Sequence, residues 1–201
     1  MSSEPFYFEE DILAPVEKPF RREGEFDQAR NHYLVKYEIC RKQNPKFIVE
    51  IGVRSGYSAL VFLQACPTAR YVGIDWGQMD DGEAHLAWAR KLLEPYNATI
   101  LVKDSQKIDV LELKNEPVDL FHVDGAHTTP GVYHDMDLAF PVLASNGLMI
   151  CDDFQMRDVH LGIRAWIWKM DAYINYEYIC SKTGELLIRK AGNHERTYQT
   201  K

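Results

Sequence analysis

The sequence predicts an α/β domain: a doubly wound, mostly parallel seven-stranded sheet with helices on both faces and an antiparallel C-terminal hairpin. Three observations carry this expectation. Short apolar runs alternate with helical stretches from residue 47 to residue 170, which is how β-α-β units read in a sequence. The runs are nearly continuous in apolar residues, as strands covered on both faces are. The last two runs flank Ser181-Lys182-Thr183-Gly184, a hairpin signal that breaks the alternation.

Size and composition agree with one such domain. The chain has 201 residues, 46% of them apolar and 26% charged, close to the globular average and unlike disorder, collagen or coiled coil. No apolar run approaches the ~18 residues of a membrane span. The opening Met1-Ser2-Ser3-Glu4-Pro5 has neither the basic nor the apolar region of a secretory signal, so a cytoplasmic protein is expected. The net charge is −7, which argues against nucleic acid as a partner, because phosphate contacts need concentrated Lys and Arg. Cys40, Cys66, Cys151 and Cys180 lack the spacing of zinc sites or disulfide frameworks and read as small buried residues.

The elements follow in order. Residues 1–30 carry Pro5, Pro15 and Pro19 and little periodicity, and read as an arm laid on the domain. A helix with Tyr33, Leu34, Tyr37, Ile39 and Cys40 on one face ends before Asn44-Pro45. Strands are expected at 47–51, 71–74, 99–102, 118–123 and 148–151, the hairpin at 176–180 and 185–189. Helices are expected at 57–65, stopped by Cys66-Pro67, at 84–93, at 131–143, ending in Asn146-Gly147, and at 162–170.

Ligands of open α/β sheets sit beyond the carboxyl ends of the strands, and here those ends are polar. Strand one runs into Glu50-Ile51-Gly52-Val53-Arg54-Ser55-Gly56-Tyr57-Ser58. Its two glycines allow a tight turn at a helix N-terminus, although the spacing is not that of a dinucleotide fingerprint, and a plain β-α turn accounts for it too. Asp75 ends strand two, where an acid can accept from both hydroxyls of a ribose; a solvated loop acid is the other reading. Asp104-Ser105-Gln106 after strand three can face an adenine edge. Asp124 ends strand four and Asp152-Asp153 strand five. Clustered carboxylates repel one another, and a hard divalent cation such as Mg²⁺ resolves this; helix capping by Asp153 or Asp158 is the alternative.

Together these residues resemble a class I S-adenosylmethionine-dependent methyltransferase, more narrowly the metal-dependent catechol type and the small-molecule O-methyltransferases of antibiotic-sugar pathways. The resemblance covers about residues 45–190 and rests on the Glu50–Ala59 turn, Asp104-Ser105-Gln106, and Asp124 with Asp152-Asp153. It implies a Rossmann-like methyltransferase fold, with an arm and cap helix at 1–44, the methyltransferase domain at 45–192 and a tail at 193–201. The implied cofactor set is Glu50, Gly52, Gly56, Ser58, Asp75, Trp76, Asp104, Ser105, Gln106 and Asp124. Glu50, Gly52 and Ser58 fall to the methionine part, Asp75 to the ribose, and Ser105 and Gln106 to the adenine. Asp124, Asp152 and Asp153 fall on the metal ligands, for Mg²⁺ or Mn²⁺. His127 stands where the catechol enzymes carry a lysine base, and Asp153 where they carry Asn.

The expected activity is methyl transfer from S-adenosylmethionine to a hydroxyl of a small molecule, with the metal on the acceptor oxygen and His127 as general base. A structural or metal-ligating His127 stays open. His122 reads as a strand residue satisfied by neighbours, His134 and His160 as surface residues. Two rival readings remain: a cephalosporin-hydroxylase-like enzyme on the same scaffold, and a non-catalytic S-adenosylmethionine-binding module, which would not need all three aspartates. Small enzymes of this type often pair, so a homodimer through the arm, with Phe6, Tyr7, Phe8, Ile12 and Leu13, is expected; neither nucleic acid nor membrane is expected as a partner.

Overall fold

The computed structural model describes residues 6–17, 25–109 and 116–191; the tail expected at 193–201 lies outside them. Seven strands form one sheet: β1 (Phe47–Ile51), β2 (Arg70–Asp75), β3 (Ala98–Val102), β4 (Val118–Val123), β5 (Leu143–Cys151), β6 (Ile174–Ile179) and β7 (Glu185–Lys190). Their order is β3-β2-β1-β4-β5-β7-β6. The first five are parallel, and β7 runs antiparallel to both β5 and β6. The helices are α1 (Glu25–Gln43), α2 (Tyr57–Ala65), α3 (Gly82–Leu93), α4 (Thr129–Val142) and α5 (Arg157–Met170). The fold is the predicted one.

Successive strand residues face opposite sides of the sheet, and both sides are apolar. Val49, Ile51, Phe121, Val123 and Met149 pack with Val132, Met136 and Ala139 of α4 and Ile163 and Trp166 of α5. Ile48, Tyr71, Leu120 and Ile150 pack with Cys40 of α1 and Leu60, Phe62 and Leu63 of α2. A third cluster seats Phe8 and Leu13 of the arm against Tyr57 and Val61 of α2 and Ala29 of α1. Phe8 is wholly buried, whereas Tyr7 is exposed, so part of the arm's apolar surface is taken up by its own domain. Among the described residues no helix is long and apolar enough to cross a membrane.

Three elements depart from expectation. The buried stripe of α1 is Ala29, His32, Lys36 and Cys40, and Leu34 lies 40% exposed; the helical spacing is kept, but two of its four positions are polar. β5 begins at Leu143 rather than Leu148, because Asn146-Gly147 lies within the strand, past a register shift opposite Val118–Leu120. α5 begins at Arg157 rather than Gly162. Gly162 does not start the helix; it lets α5 approach α4, since a Cβ there would lie 2.3 Å from Val132 Cγ1 and 2.5 Å from the Thr129 carbonyl oxygen.

Candidate functional site

β1 pairs with β2 on one side and β4 on the other, so chain connectivity reverses between β1 and β4. A crevice opens at such a reversal, beyond the strand ends. The turn leaving β1 crosses it closely. Gly52 has φ +91°, and a Cβ there would sit 1.9 Å from the Asp124 carbonyl oxygen at the end of β4. Gly52 N–H donates to the Ile74 carbonyl at 2.9 Å. The turn then passes Gly56, φ +77°, into the N-terminus of α2.

Asp75, at the end of β2, holds this turn. Its Oδ2 accepts from the amides of Val53 (2.9 Å) and Arg54 (2.8 Å), and its Oδ1 from Gly77 (2.7 Å). Trp76 beside it is 50% exposed, and a cleft of about 620 Å³ lined by Gly77, Met79 and residues 81–84 opens in the same loop. Asp104 accepts from the Gln106 amide at 3.0 Å and pairs with Lys107. Gln106 turns its side-chain amide toward α4, onto Asp135 at 2.7 Å, and Ser105 is buried.

Glu50 lies under the turn rather than in the crevice. It is fully buried, and its oxygens accept from the hydroxyls of Ser58 and Tyr71 and meet His122 Nδ1 at 2.7 Å. Burial works against a charged His122, but the bond to Glu50 prevails and raises its pKa. His122 is therefore satisfied on one side by Glu50, while its Nε2 has no hydrogen-bond partner.

The three aspartates divide into two environments. Asp124 and Asp153 face His127, whose Nε2 lies 3.6 Å from Asp124 Oδ1 and 3.0 Å from Asp153 Oδ2. Desolvation and the charge of Asp152 push the Asp124 carboxyl up to about 6. Hydrogen bonds to Asp124 and then Asp153 raise His127 to about 10. Asp152 points inward. Its Oδ2 meets the Lys36 ammonium at 2.7 Å, and its Oδ1 accepts from the Thr183 hydroxyl and the Asp153 amide, both at 2.8 Å. Burial alone would raise the Asp152 carboxyl, but Lys36, with His32 and His122, holds it well below its usual range. One of the three clustered carboxylates is thus met by a cation of the chain itself, because Lys36 reaches Asp152 from α1, 116 positions away. Lys36 and His32 could not be marked in the sequence: their only signal is two polar residues on an otherwise apolar helical stripe.

One ligand atom each from Asp124, His127 and Asp153 lies within 4.8 Å of the others. Two partly buried carboxylates, Asp124 and Asp153, one of them with its charge poorly matched, fit a divalent cation of the Mg²⁺ or Mn²⁺ kind.

Residues 49–154, more than half of the chain, match the model of a methyltransferase domain. No curated protein matches the sequence. Among solved structures, the O-methyltransferase TomG from Streptomyces achromogenes, involved in tomaymycin synthesis and in complex with SAM, is 18% identical, with 92% of each chain covered and a TM-score of 0.71. The SAH-bound methyltransferase PaMTH1 of Podospora anserina is 20% identical, covering 85% of this chain and 83% of its own, with a TM-score of 0.63. An O-methyltransferase from Bacillus cereus in complex with SAH is 17% identical over 79% of this chain and 80% of its own, with a TM-score of 0.61.

Proposed function

Because the chain belongs to the methyltransferase domain family, we propose that it moves a methyl group from S-adenosylmethionine to a hydroxyl oxygen of a small molecule. The observation that carries this reading is that Asp124, His127 and Asp153 meet at the same strand-end crevice that the Gly52 turn crosses. Cofactor and proton acceptor then share one opening.

The turn between Gly52 and Ser58 and the Asp75 carboxylate would seat the cofactor. Asp75 keeps acceptor capacity on Oδ1, which takes one amide, so a ribose hydroxyl can join there. The acceptor oxygen attacks the methyl carbon in line, the carbon–sulfur bond breaks, and its electron pair returns to sulfur, giving neutral S-adenosylhomocysteine. Alignment of the two reactants supplies much of the rate, about 7–11 kcal/mol in well-oriented reactions. The hydroxyl proton goes to His127 Nε2. With Asp124 and Asp153 unmatched, His127 keeps its own proton at neutral pH, so it becomes a base only when those carboxylates are engaged. Asp124 and Asp153 would hold the divalent cation, which when bound lowers the pKa of an acceptor hydroxyl.

The test is calorimetry and turnover. S-adenosylhomocysteine should bind one to one and NAD should not, and a panel of hydroxylated small molecules should show Mg²⁺- or Mn²⁺-dependent methylation. Binding of NAD without S-adenosylhomocysteine would overturn the reading. Full turnover after chelation would remove its cation.

A further inference from the structure

Lys36 is fully buried on α1, and burying an ammonium is unfavourable unless its charge is met. Here it is met twice, by Asp152 Oδ2 at 2.7 Å and by Glu185 Oε1 at 3.0 Å, the latter at the start of β7. The rest of Asp152 is engaged as well. Thr183 and the Asp153 amide take Oδ1, while His32 Nε2 and His122 Nε2 close around Oδ2 at 3.6 and 3.8 Å. Asp124 and Asp153 face the half-exposed His127 instead. Two neighbouring residues, Asp152 and Asp153, thus belong to different charge balances. Asp153 has φ +54°, the backbone twist that turns the second carboxylate outward while the first stays in.

We propose that Lys36 is a positioning residue for this site: it is the permanent cation of Asp152, fixes that carboxylate inward, and leaves Asp124 and Asp153 as the acids that take up a divalent cation. The inference rests on the cation reading given above and assigns different roles to aspartates that the sequence presents as equivalent. The lysine also sets the charge of the site. With its ammonium in place, shared with Glu185, Asp152 is held away from the rim; without it, Asp152 is free to turn outward and add a negative charge there.

Mn²⁺ uptake followed by electron paramagnetic resonance tests this without any turnover. Asp153→Asn is expected to weaken Mn²⁺ at least tenfold. Lys36→Gln combined with Asp152→Asn removes a matched pair, and is expected to leave the Mn²⁺ affinity within threefold of the unaltered protein. Lys36→Gln alone unmasks Asp152 and is expected to tighten Mn²⁺ at least fivefold. A tenfold loss in the paired variant would make Asp152 a ligand and overturn the inference while leaving the proposed function standing. If the paired variant does not melt cooperatively, Asp152→Asn alone decides, since it leaves Lys36 paired with Glu185, and a tenfold loss of Mn²⁺ affinity in it overturns the inference. Unaltered protein that binds S-adenosylhomocysteine but takes up no Mn²⁺ would overturn the cation reading, and this inference with it.

Discussion

At Gly52 the chain has room for a hydrogen and nothing more. Gly52→Ala must place a methyl group 1.9 Å from a backbone oxygen at φ +91°. Backbone strain alone is about 1–3 kcal/mol, and the contact adds to it. Urea denaturation should show a loss above about 2 kcal/mol, with S-adenosylhomocysteine binding lost in whatever remains folded. Asp75→Ala removes three backbone bonds as well as the expected ribose contact. It should weaken S-adenosylhomocysteine by about 1.5–3 kcal/mol, the scale for hydrogen bonds to a charged group; calorimetry reads this directly. His127→Ala should slow turnover by about 10²–10⁴ if Nε2 takes the proton. The loss should shrink as pH rises and the acceptor ionises unaided, which a pH–rate profile checks. Residues of this kind were legible because strand ends are where polar side chains gather. Lys36 and His32 were not, because a stripe is recognised by its apolar members, and what makes these two burial-competent lies 116 to 153 positions further along the chain.

The strands were easier to read than the helix ends, for a physical reason. A strand covered on both faces must be apolar throughout, as Phe47–Ile51 nearly is, and its one acid, Glu50, is matched by Ser58, Tyr71 and His122. Helix boundaries rest on single residues whose meaning depends on what lies opposite. Gly162 looked like a start and proved to be the contact point of α5 with α4. Gly162→Ala should therefore destabilise the protein by about 1–3 kcal/mol, the range for overpacking, although alanine is the better helix former; a gain in melting temperature would contradict the packing. The arm gives a second check on element packing. Phe8 lies 4.4 Å from the Tyr33 ring and 5.9 Å from the Tyr57 ring, centre to centre. Phe8→Ala should lose about 3–5 kcal/mol in chemical denaturation, and because Tyr57 also donates to Glu17, it should loosen the start of α2 along with the arm.

For the molecule as a whole, the sheet order and the hairpin were open to reading because connection rules leave few topologies for five β-α repeats followed by two paired strands. The division of the three aspartates was not, since it depends on which way each carboxylate turns after the sheet has formed. One further feature bears on how the chain is made. Lys36 and Glu185 are 149 positions apart, and at a synthesis rate of 5–20 residues per second the first waits about 7–30 s for the second. During that interval α1 cannot settle on the sheet without sealing in an ammonium that has at most one of its two acceptors, Asp152, already made. One face of β1 and β4 should stay open in the nascent chain, a surface that folding helpers recognise. Chains stalled on the ribosome before β7 has emerged should lose α1 to protease, and protection should arrive with β7; protection of α1 at an earlier length would show that the helix docks without its distant acid.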